Sequence, residues 1–254
     1  MTAVALRQES SAMPTTMSPT EFLSACTVDP AVLELRPDYR TMLVVIDGLA
    51  PATGPEAGSR ADELIAAAEA HARALLAESP VAELAHIAAW REAYRAFGAK
   101  PQRTRNSLES LTRRAERGLP RVNALTDIYN AISVLHQIPL GGEDVHRYDG
   151  PARLIRATGD EPFDTTANGE TVIEYPEPGE VVWCDGAGVT CRRWNWRQGR
   201  RTGLSEQTRA ALFILDALAP VGNEQLTAAA DALVGACSGL GAEVSASTRL
   251  ISAP

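Results

Sequence analysis

The chain lacks the features that define several common classes of protein. It has only four cysteines among 254 residues, and no two of them form a CxxC pair. This argues against a zinc finger or a disulfide framework and fits a reduced cytoplasm. No segment approaches the roughly 18 apolar residues that a membrane-spanning helix needs, and the N-terminus, which carries Arg7 and Glu9, does not resemble a secretory signal. We therefore predict a cytoplasmic protein with no membrane partner.

The usual catalytic signatures are missing as well. The sequence contains no GxSxG elbow, no GxxxxGK[ST] loop, no GxGxxG opening a helix after a strand, and no HExxH. The four histidines show no metal-ligand spacing, and two of them, His71 and His86, lie in alanine-rich helical segments that suggest structural roles. Cys184 and Cys191 are interpreted as half-buried strand residues. We predict no metal and no cofactor.

What the chain does contain is an ordinary globular composition with unevenly distributed charge. Apolar residues make up 45% and charged residues 22% of the chain, which is enough for a sizeable core. The net charge is −8, yet the segments 91–121 and 192–201 are strongly basic. A polyanion responds to the local field rather than to the total. An RNA or phosphate partner is therefore possible, and DNA is not predicted; the alternative is two solvated surfaces.

Periodicity predicts an α+β fold with mixed or antiparallel sheets flanked by helices. Residues 1–27 are interpreted as a flexible tail and residues 28–254 as one domain. Helices are predicted for Asp62–Ala77, from Ser79 to Phe97, from Asn106 or Ser107 to Gly118, from Asn123 to Gln137 and for Glu224–Ser238. Strands are predicted for Ala31–Leu35, Met42–Asp47, Arg153–Ala157, Glu170–Tyr175, Glu180–Asp185, Val189–Arg193, Arg209–Leu215 and Glu243–Leu250.

Two segments of the chain have similar sequences, and we call this similarity the sequence echo. Residues 44–51 read VVIDGLAP and residues 213–220 read FILDALAP, and an alanine-rich helix is predicted after each. The simplest interpretation is a pseudo-symmetric body whose two halves meet around a central cleft.

A dense stretch near residues 183–198 carries the most distinctive chemistry. On a strand, Trp194 and Trp196 would share one face, and Arg193, Asn195 and Arg197 would share the other. The stretch could be a core strand with tryptophan inward. It could also be a recognition wall, in which indole stacks on a base or ring, asparagine holds an amide or hydroxyl, and arginine meets a phosphate or carboxylate.

Three separated motifs resemble those of the B3/B4 domain. They are VNALTDIYN at 122–130, IPLGGED at 138–144, and the hairpin from Trp183 to Thr208 with its RRWNWRQ run. The B3/B4 domain is the editing module of the β subunit of bacterial phenylalanyl-tRNA synthetase, and the solitary form of the domain is the more similar. Asn130 and Thr208 match the synthetase pattern, whereas Gly141 stands where the synthetase has a histidine.

The resemblance implies a cleft that hydrolyses a wrongly esterified aminoacyl-tRNA with a positioned water and no metal. For the catalytic role it suggests Asp127, Asn130 and Glu143. The residues suggested for substrate binding are Asn123, Gly141, Gly142, Trp194, Asn195, Trp196, Arg197 and Thr208. The basic segment would bind tRNA through Arg103, Arg105, Arg113, Arg114 and Arg117.

Three functional hypotheses remain open on the sequence. The first is a trans-acting aminoacyl-tRNA deacylase, with the amino-acid moiety in the cleft. The second is a biosynthetic protein that transfers an aminoacyl group from tRNA to an amine. The third is a non-catalytic module that binds a free amino acid, a small metabolite or tRNA, and the overall acidity favours the small ligands because tRNA-binding proteins are more often basic.

Overall fold

The computed structural model describes residues 17–50 and 55–253, which form helices and sheets in an α+β arrangement. The helices are α1 Pro19–Ala25, α2 Pro30–Leu35, α3 Pro55–Glu78, α4 Ala85–Ala96, α5 Ser107–Arg114, α6 Ala124–His136 and α7 Asn223–Cys237. The strands are β1 Thr27–Val28, β2 Arg40–Asp47, β3 Leu140–Asp144, β4 Arg153–Arg156, β5 Phe163–Ala167, β6 Glu170–Glu174, β7 Val181–Cys184, β8 Val189–Arg192, β9 Arg197–Gln198, β10 Ala210–Ala217 and β11 Ser245–Ser252. Over these described ranges, no helix is both long and apolar enough to cross a bilayer.

The strands form two larger sheets and one hairpin. One sheet has the order β11-β2-β10-β3 and is antiparallel throughout. The other has the order β1-β4-β7-β8-β9, in which only the β1–β4 pair is parallel. Strands β5 and β6 pair with each other. The predicted α+β class with mixed and antiparallel sheets is confirmed.

The central strands of the four-stranded sheet are buried on both faces. Val44 and Phe213 face one core, which includes residues of α6 and α7. Leu43 and Leu212 face the other, which includes Trp90 of α4. Because both faces are covered, these strands are continuous apolar runs rather than alternating ones.

The sequence echo corresponds to two neighbouring strands. Strands β2 and β10 pair antiparallel, with Val44 opposite Phe213, and they lead to α3 and α7 respectively. The two units therefore touch directly through the hydrogen bonds of this strand pair. A cavity lies at the β3 edge of the same sheet, with Ile214 and Asp216 of β10 in its lining.

The N-terminal part of the prediction also needs correction. Residues 1–16 of the predicted tail lie outside the described residues, but residues 18–28 form α1 and β1, and Phe22 is buried. Ser18 and Glu21 make a capping box around α1. The strand predicted for 31–35 is helix α2, since Asp29 caps its first turn and Pro30 occupies the first helical position.

Elsewhere the capping signals predict the helices well, and the glycine signals mislead. Asn106 caps α5 and Asn123 caps α6, each by accepting a backbone N–H. The helix predicted from Ser79 is broken into a 3₁₀ turn at Val81–Glu83 and then α4. Two consecutive glycines favour a loop, but Gly141 and Gly142 lie in strand β3.

His86 is a buried structural residue with a fixed tautomer. Its Nδ1 lies 2.7 Å from the Gln137 carbonyl oxygen, and its Nε2 accepts N–H groups from Trp90 at 3.1 Å and Leu218 at 3.0 Å. The ring must therefore stay neutral, with the hydrogen on Nδ1. Burial lowers the pKa of His86 to about 4.

The depressed pKa of His86 predicts a loss of stability in acid. The unfolded chain takes up a proton near pH 6.5, and the folded protein resists it down to about pH 4. The contribution is therefore complete above pH 6.5 and falls by about 3 kcal/mol as the pH drops through this window. Urea unfolding of the protein and of His86→Gln at several pH values checks this. The free-energy difference between them should shrink towards pH 4, and parallel curves would contradict the expectation.

Candidate functional site

A cavity of about 250 Å³ lies at the β3 edge of the four-stranded sheet. It is enclosed by α5, α6, β3, β10, the β7–β8 strands and the turn that follows β8. Seven of the predicted site residues line it: Asn130, Gly141, Glu143, Trp194, Asn195, Trp196 and Arg197. The lining also includes residues that sequence reasoning did not select for the site, namely Ser107, Ser110, Leu111, Tyr129, Leu140, Trp183, Cys191, Gln198, Ile214 and Asp216.

The register of β3 decides which of its residues reach the cavity. Gly141 lies opposite Ile214, whereas Gly142 lies opposite Phe213 on the other face. A Cβ on Gly142 would lie 2.8 Å from the Phe213 ring, so this position is closed by core packing. A Cβ on Gly141 would lie 2.9 Å from Nε2 of Gln198. Gly141 is thus the residue that lets Gln198 approach the strand.

Glu143 is a carboxylate buried in the cavity wall, with 1% of its surface exposed. One oxygen accepts the hydroxyl of Tyr148 in a short hydrogen bond. The other lies 3.5 Å from Nε2 of Gln198, which also donates to the Gly142 carbonyl at 3.0 Å. Burial outweighs these neutral donors and raises the pKa of Glu143 to about 7. The carboxyl is therefore poised to exchange a proton near neutral pH.

Asp216 is a second buried carboxylate in the same lining. It accepts the Tyr39 hydroxyl at 2.7 Å and Nδ2 of Asn195 at 3.3 Å. The Asn195 amide is oriented in turn by the Tyr94 hydroxyl, which donates to its Oδ1 at 3.0 Å. Burial raises the pKa of Asp216 to about 7 as well.

The segment that holds Asn195 is a turn rather than a strand, which corrects the predicted alternation of faces. Arg193 and Trp194 have φ angles of +48° and +68°, in the left-handed region. The Trp194 indole is fully buried and packs edge-on against Tyr39 and Trp90 with ring centroids 5.0 and 5.3 Å apart. Two consecutive left-handed residues at a cavity wall are a strained arrangement of the kind found at functional sites.

Trp196 lies at the partly exposed side of the wall. The guanidinium of Arg193 is 4.5 Å from the centre of its ring, and that of Arg197 is 5.9 Å from it. The indole and two arginines therefore form a stacked layer. Cys191 offers no nucleophile here, because burial raises the pKa of its thiol well above the ordinary range.

Four predicted site residues lie outside the cavity lining. Gly142 faces the core, Asn123 caps α6, and Thr208 donates its hydroxyl to Asp144 at 2.8 Å. Asp127 accepts the Val122 N–H at 2.8 Å at the start of α6, and burial raises its pKa.

The first basic segment forms a shallow depression on α5 beside the cavity. Its lining consists of Arg105, Ser110, Arg113, Arg114, Glu116 and Arg117. Buried Glu109 neutralises part of the charge, since it lies within 4 Å of Arg91, Arg105 and Arg113. Arg103 is exposed on the preceding loop and does not line the depression. Within the described ranges, Arg103, Arg114 and Arg117 have no carboxylate partner at salt-bridge distance.

The second basic segment is not the free positive surface that its composition suggests. All five of its arginines pair with acids from neighbouring strands and loops. Arg192 makes a buried two-pronged contact with Glu180, with both N–O distances at 2.8 Å. The other pairs are Arg193–Glu180, Arg197–Glu174, Arg200–Asp164 and Arg201–Asp185. The local charge is therefore balanced by acids that are distant in sequence, and this segment offers little to a polyanion.

Sequence reasoning missed Asp216, and a usable signal was present. It is the single charged residue in the apolar run AALFILDALA, and a charge inside a buried strand usually marks a paired or functional group. The echo obscured this, because the equivalent Asp47 is only partly buried while Asp216 is 2% exposed.

A search of curated proteins found no match to this chain. A similar solved structure is an N-terminal fragment of the phenylalanyl-tRNA synthetase β subunit from Pyrococcus horikoshii, with 12% identity and a TM-score of 0.44. The alignment covers 87% of this chain and 50% of the fragment, so the chain spans half the length of that protein.

The family assignment comes from the sequence itself. The B3/4 domain family matches residues 89–236. This range is more than half of the chain, and it runs from α4 to the end of α7, enclosing most of the cavity lining. The chain belongs to the B3/4 domain family.

Proposed function

We propose that this protein is a trans-acting aminoacyl-tRNA deacylase, which hydrolyses the ester between an amino acid and its tRNA. The observation that carries the proposal is that the cavity adjoins the basic depression beside α5. Ser110 lines both, and the depression also contains Arg105, Arg113, Arg114 and Arg117. A polyanionic backbone on the depression would place the end of its chain at the cavity.

The size and chemistry of the cavity support the same conclusion. A volume of about 250 Å³ suits an aminoacyl group rather than a larger ligand. Most of the wall is apolar, and its polar groups include Asn130 and Asn195, whose amide is held by Tyr94 and Asp216. Membership of the B3/4 domain family supports a tRNA-related substrate.

Glu143 is the general base in this scheme, and Asp127 is not needed for it. A water oxygen attacks the ester carbonyl carbon, and Glu143 accepts a proton from that water. The bond between the carbonyl carbon and the ribose oxygen then breaks, and the ribose oxygen takes up the proton. An aminoacyl ester is already activated, so a positioned water and base supply the catalysis without a nucleophilic side chain.

A panel of charged tRNAs tests the proposal. Each tRNA is charged with its own amino acid and with near-isosteric wrong ones, and the ester remaining is measured over time at micromolar protein. At least one ester should disappear much faster than in buffer. If every ester persists at the rate of the buffer control, the protein is not a deacylase.

The arginines that line the basic depression give a separate prediction about tRNA affinity. The double variant Arg114→Ala/Arg117→Ala should bind tRNA more weakly and lower the slope of log Kd against log salt by about 2, because each phosphate contact contributes about 1. Filter binding at several salt concentrations measures this. Arg60→Ala/Arg209→Ala removes the same charge from residues outside the depression and should keep the original slope. Equal slopes in all three proteins would rule out this surface.

A further inference from the structure

Two buried acids in the cavity have no cationic partner. Glu143 and Asp216 are 1% and 2% exposed, and their hydrogen bonds come from neutral donors: Tyr148 and Gln198 for the first, Tyr39 and Asn195 for the second. Within the described residues, neither carboxylate forms a salt bridge. The buried carboxylates of Glu109, Glu180 and Asp185 are each held by arginine, while Asp127, which is 7% exposed, accepts the backbone N–H of Val122 at the start of α6. Two buried carboxylates without a cation in one cavity are costly, so the pair distinguishes this cavity.

Among the described residues that line the cavity, Arg197 is the only basic one. It donates to the Thr166 carbonyl at 2.6 Å, lies 3.9 Å from Glu174 and stacks on Trp196. It is thus held at the rim by other groups. A carboxylate inside the cavity would meet two acids and no free cation.

The aromatic lining is suited to a cation. Trp183, Trp194 and Trp196 all line the cavity, and indole rings attract ammonium groups. The buried indole N–H groups of Trp183 and Trp194 face the Asp216 carboxylate and the Tyr39 hydroxyl, respectively. The indoles therefore surround Asp216 without bringing a cation to it.

We propose that Asp216 binds the α-ammonium group of the substrate, and that the cavity takes amino esters and amides but not free amino acids. This inference rests on the proposed function and names its substrate class. An aminoacyl ester carries one positive charge and no carboxylate, which matches a cavity with unpaired acids. Hydrolysis creates a carboxylate next to Glu143, so the charge of the cavity then favours release of the product.

Titration calorimetry with stable amides tests the assignment. The probes are the amides of the twenty amino acids, the matching free amino acids and the N-acetyl amides. At least one amide should bind, its free acid should bind at least tenfold more weakly, and its N-acetyl amide should not bind. Asp216→Asn should lose at least tenfold in amide affinity. Asp231→Asn, an equal change at an exposed position on α7, should lose none.

The outcomes separate this inference from the proposed function. An absence of binding by every amide overturns the inference, as does equal affinity for an amide and its free acid. If Asp216→Asn does not fold, the N-acetyl amides still test the ammonium site on the unmodified protein, because acetylation removes the positive charge that Asp216 is proposed to bind. If the amides bind as described and no charged tRNA is hydrolysed, the ammonium site stands and the deacylase fails.

Discussion

Glu143→Gln is expected to slow ester hydrolysis by about 10²- to 10⁴-fold, the usual contribution of a positioned general base. The amide keeps the shape of the side chain, and its one oxygen can still accept from Tyr148 or Gln198, but it cannot accept the proton of the attacking water. The pH dependence should change with it. In the unmodified protein the rate should rise with pH through about 7, the pKa of Glu143, and level off above it. The variant should lack that rise.

The same substitution should stabilise the folded protein at pH 8. The folded pKa of Glu143 is about 7, raised from 4.5 by burial. The stability it contributes is therefore complete below pH 4.5 and is lost as the pH rises through 7, a change of about 3 kcal/mol. Glutamine removes this dependence. We expect Glu143→Gln to exceed the unmodified protein in unfolding free energy at pH 8 and to lose that advantage by pH 5.

Both effects can be measured on one set of proteins. Urea unfolding at pH 5 and 8 gives the stability, and the charged-tRNA assay gives the rate. Glu63→Gln, at an exposed position on α3, is the matched control and should change neither. A variant that is slow but less stable at pH 8 would show that Glu143 supports the fold rather than the chemistry. Asp185 and Tyr148 also face Glu143, and both are unchanged in this comparison.

Local signals in the sequence account for much of the fold. The caps at Asn106 and Asn123 act within one turn of helix, so their effect can be inferred from three or four neighbouring residues. Seven of the predicted site residues line one cavity, and their selection drew on the family resemblance, which carries information on long-range contacts that a single segment lacks.

Other features depend on partners far away in the chain. Gly141 and Gly142 look like a flexible loop, yet they are held in β3 by pairing with β10, about 70 residues later. The charge of the second basic segment cannot be judged from the segment alone, because its acidic partners lie in β5, in β6 or at the two ends of β7. The left-handed turn at Arg193 and Trp194 is imposed by tertiary contacts, since neither residue type favours positive φ.

Trp194→Ala should cost the largest amount of stability among substitutions in the cavity wall. Removing a fully buried tryptophan side chain usually costs about 3–5 kcal/mol, and here the indole also has edge-on contacts with Tyr39 and Trp90. The loss should extend to the site. The backbone N–H of Trp194 donates to the Val181 carbonyl at 2.6 Å, and the next residue, Asn195, donates to Asp216, so a shift of the turn would displace Asp216.

Trp196→Ala is the matched comparison, because Trp196 is only partly buried. Trp196→Ala should lower the unfolding free energy by less than half as much as Trp194→Ala, because it removes less buried apolar surface and the stacked arginines keep their carboxylate partners. Urea unfolding ranks the two variants, and amide titration reports whether Asp216 is still placed. If Trp196→Ala proves the more damaging, the wall is anchored by its stacked rim rather than by the buried indole. If Trp194→Ala is the more damaging, the buried indole holds the strained turn in place, and this support keeps the Glu143 and Asp216 carboxylates in one orientation.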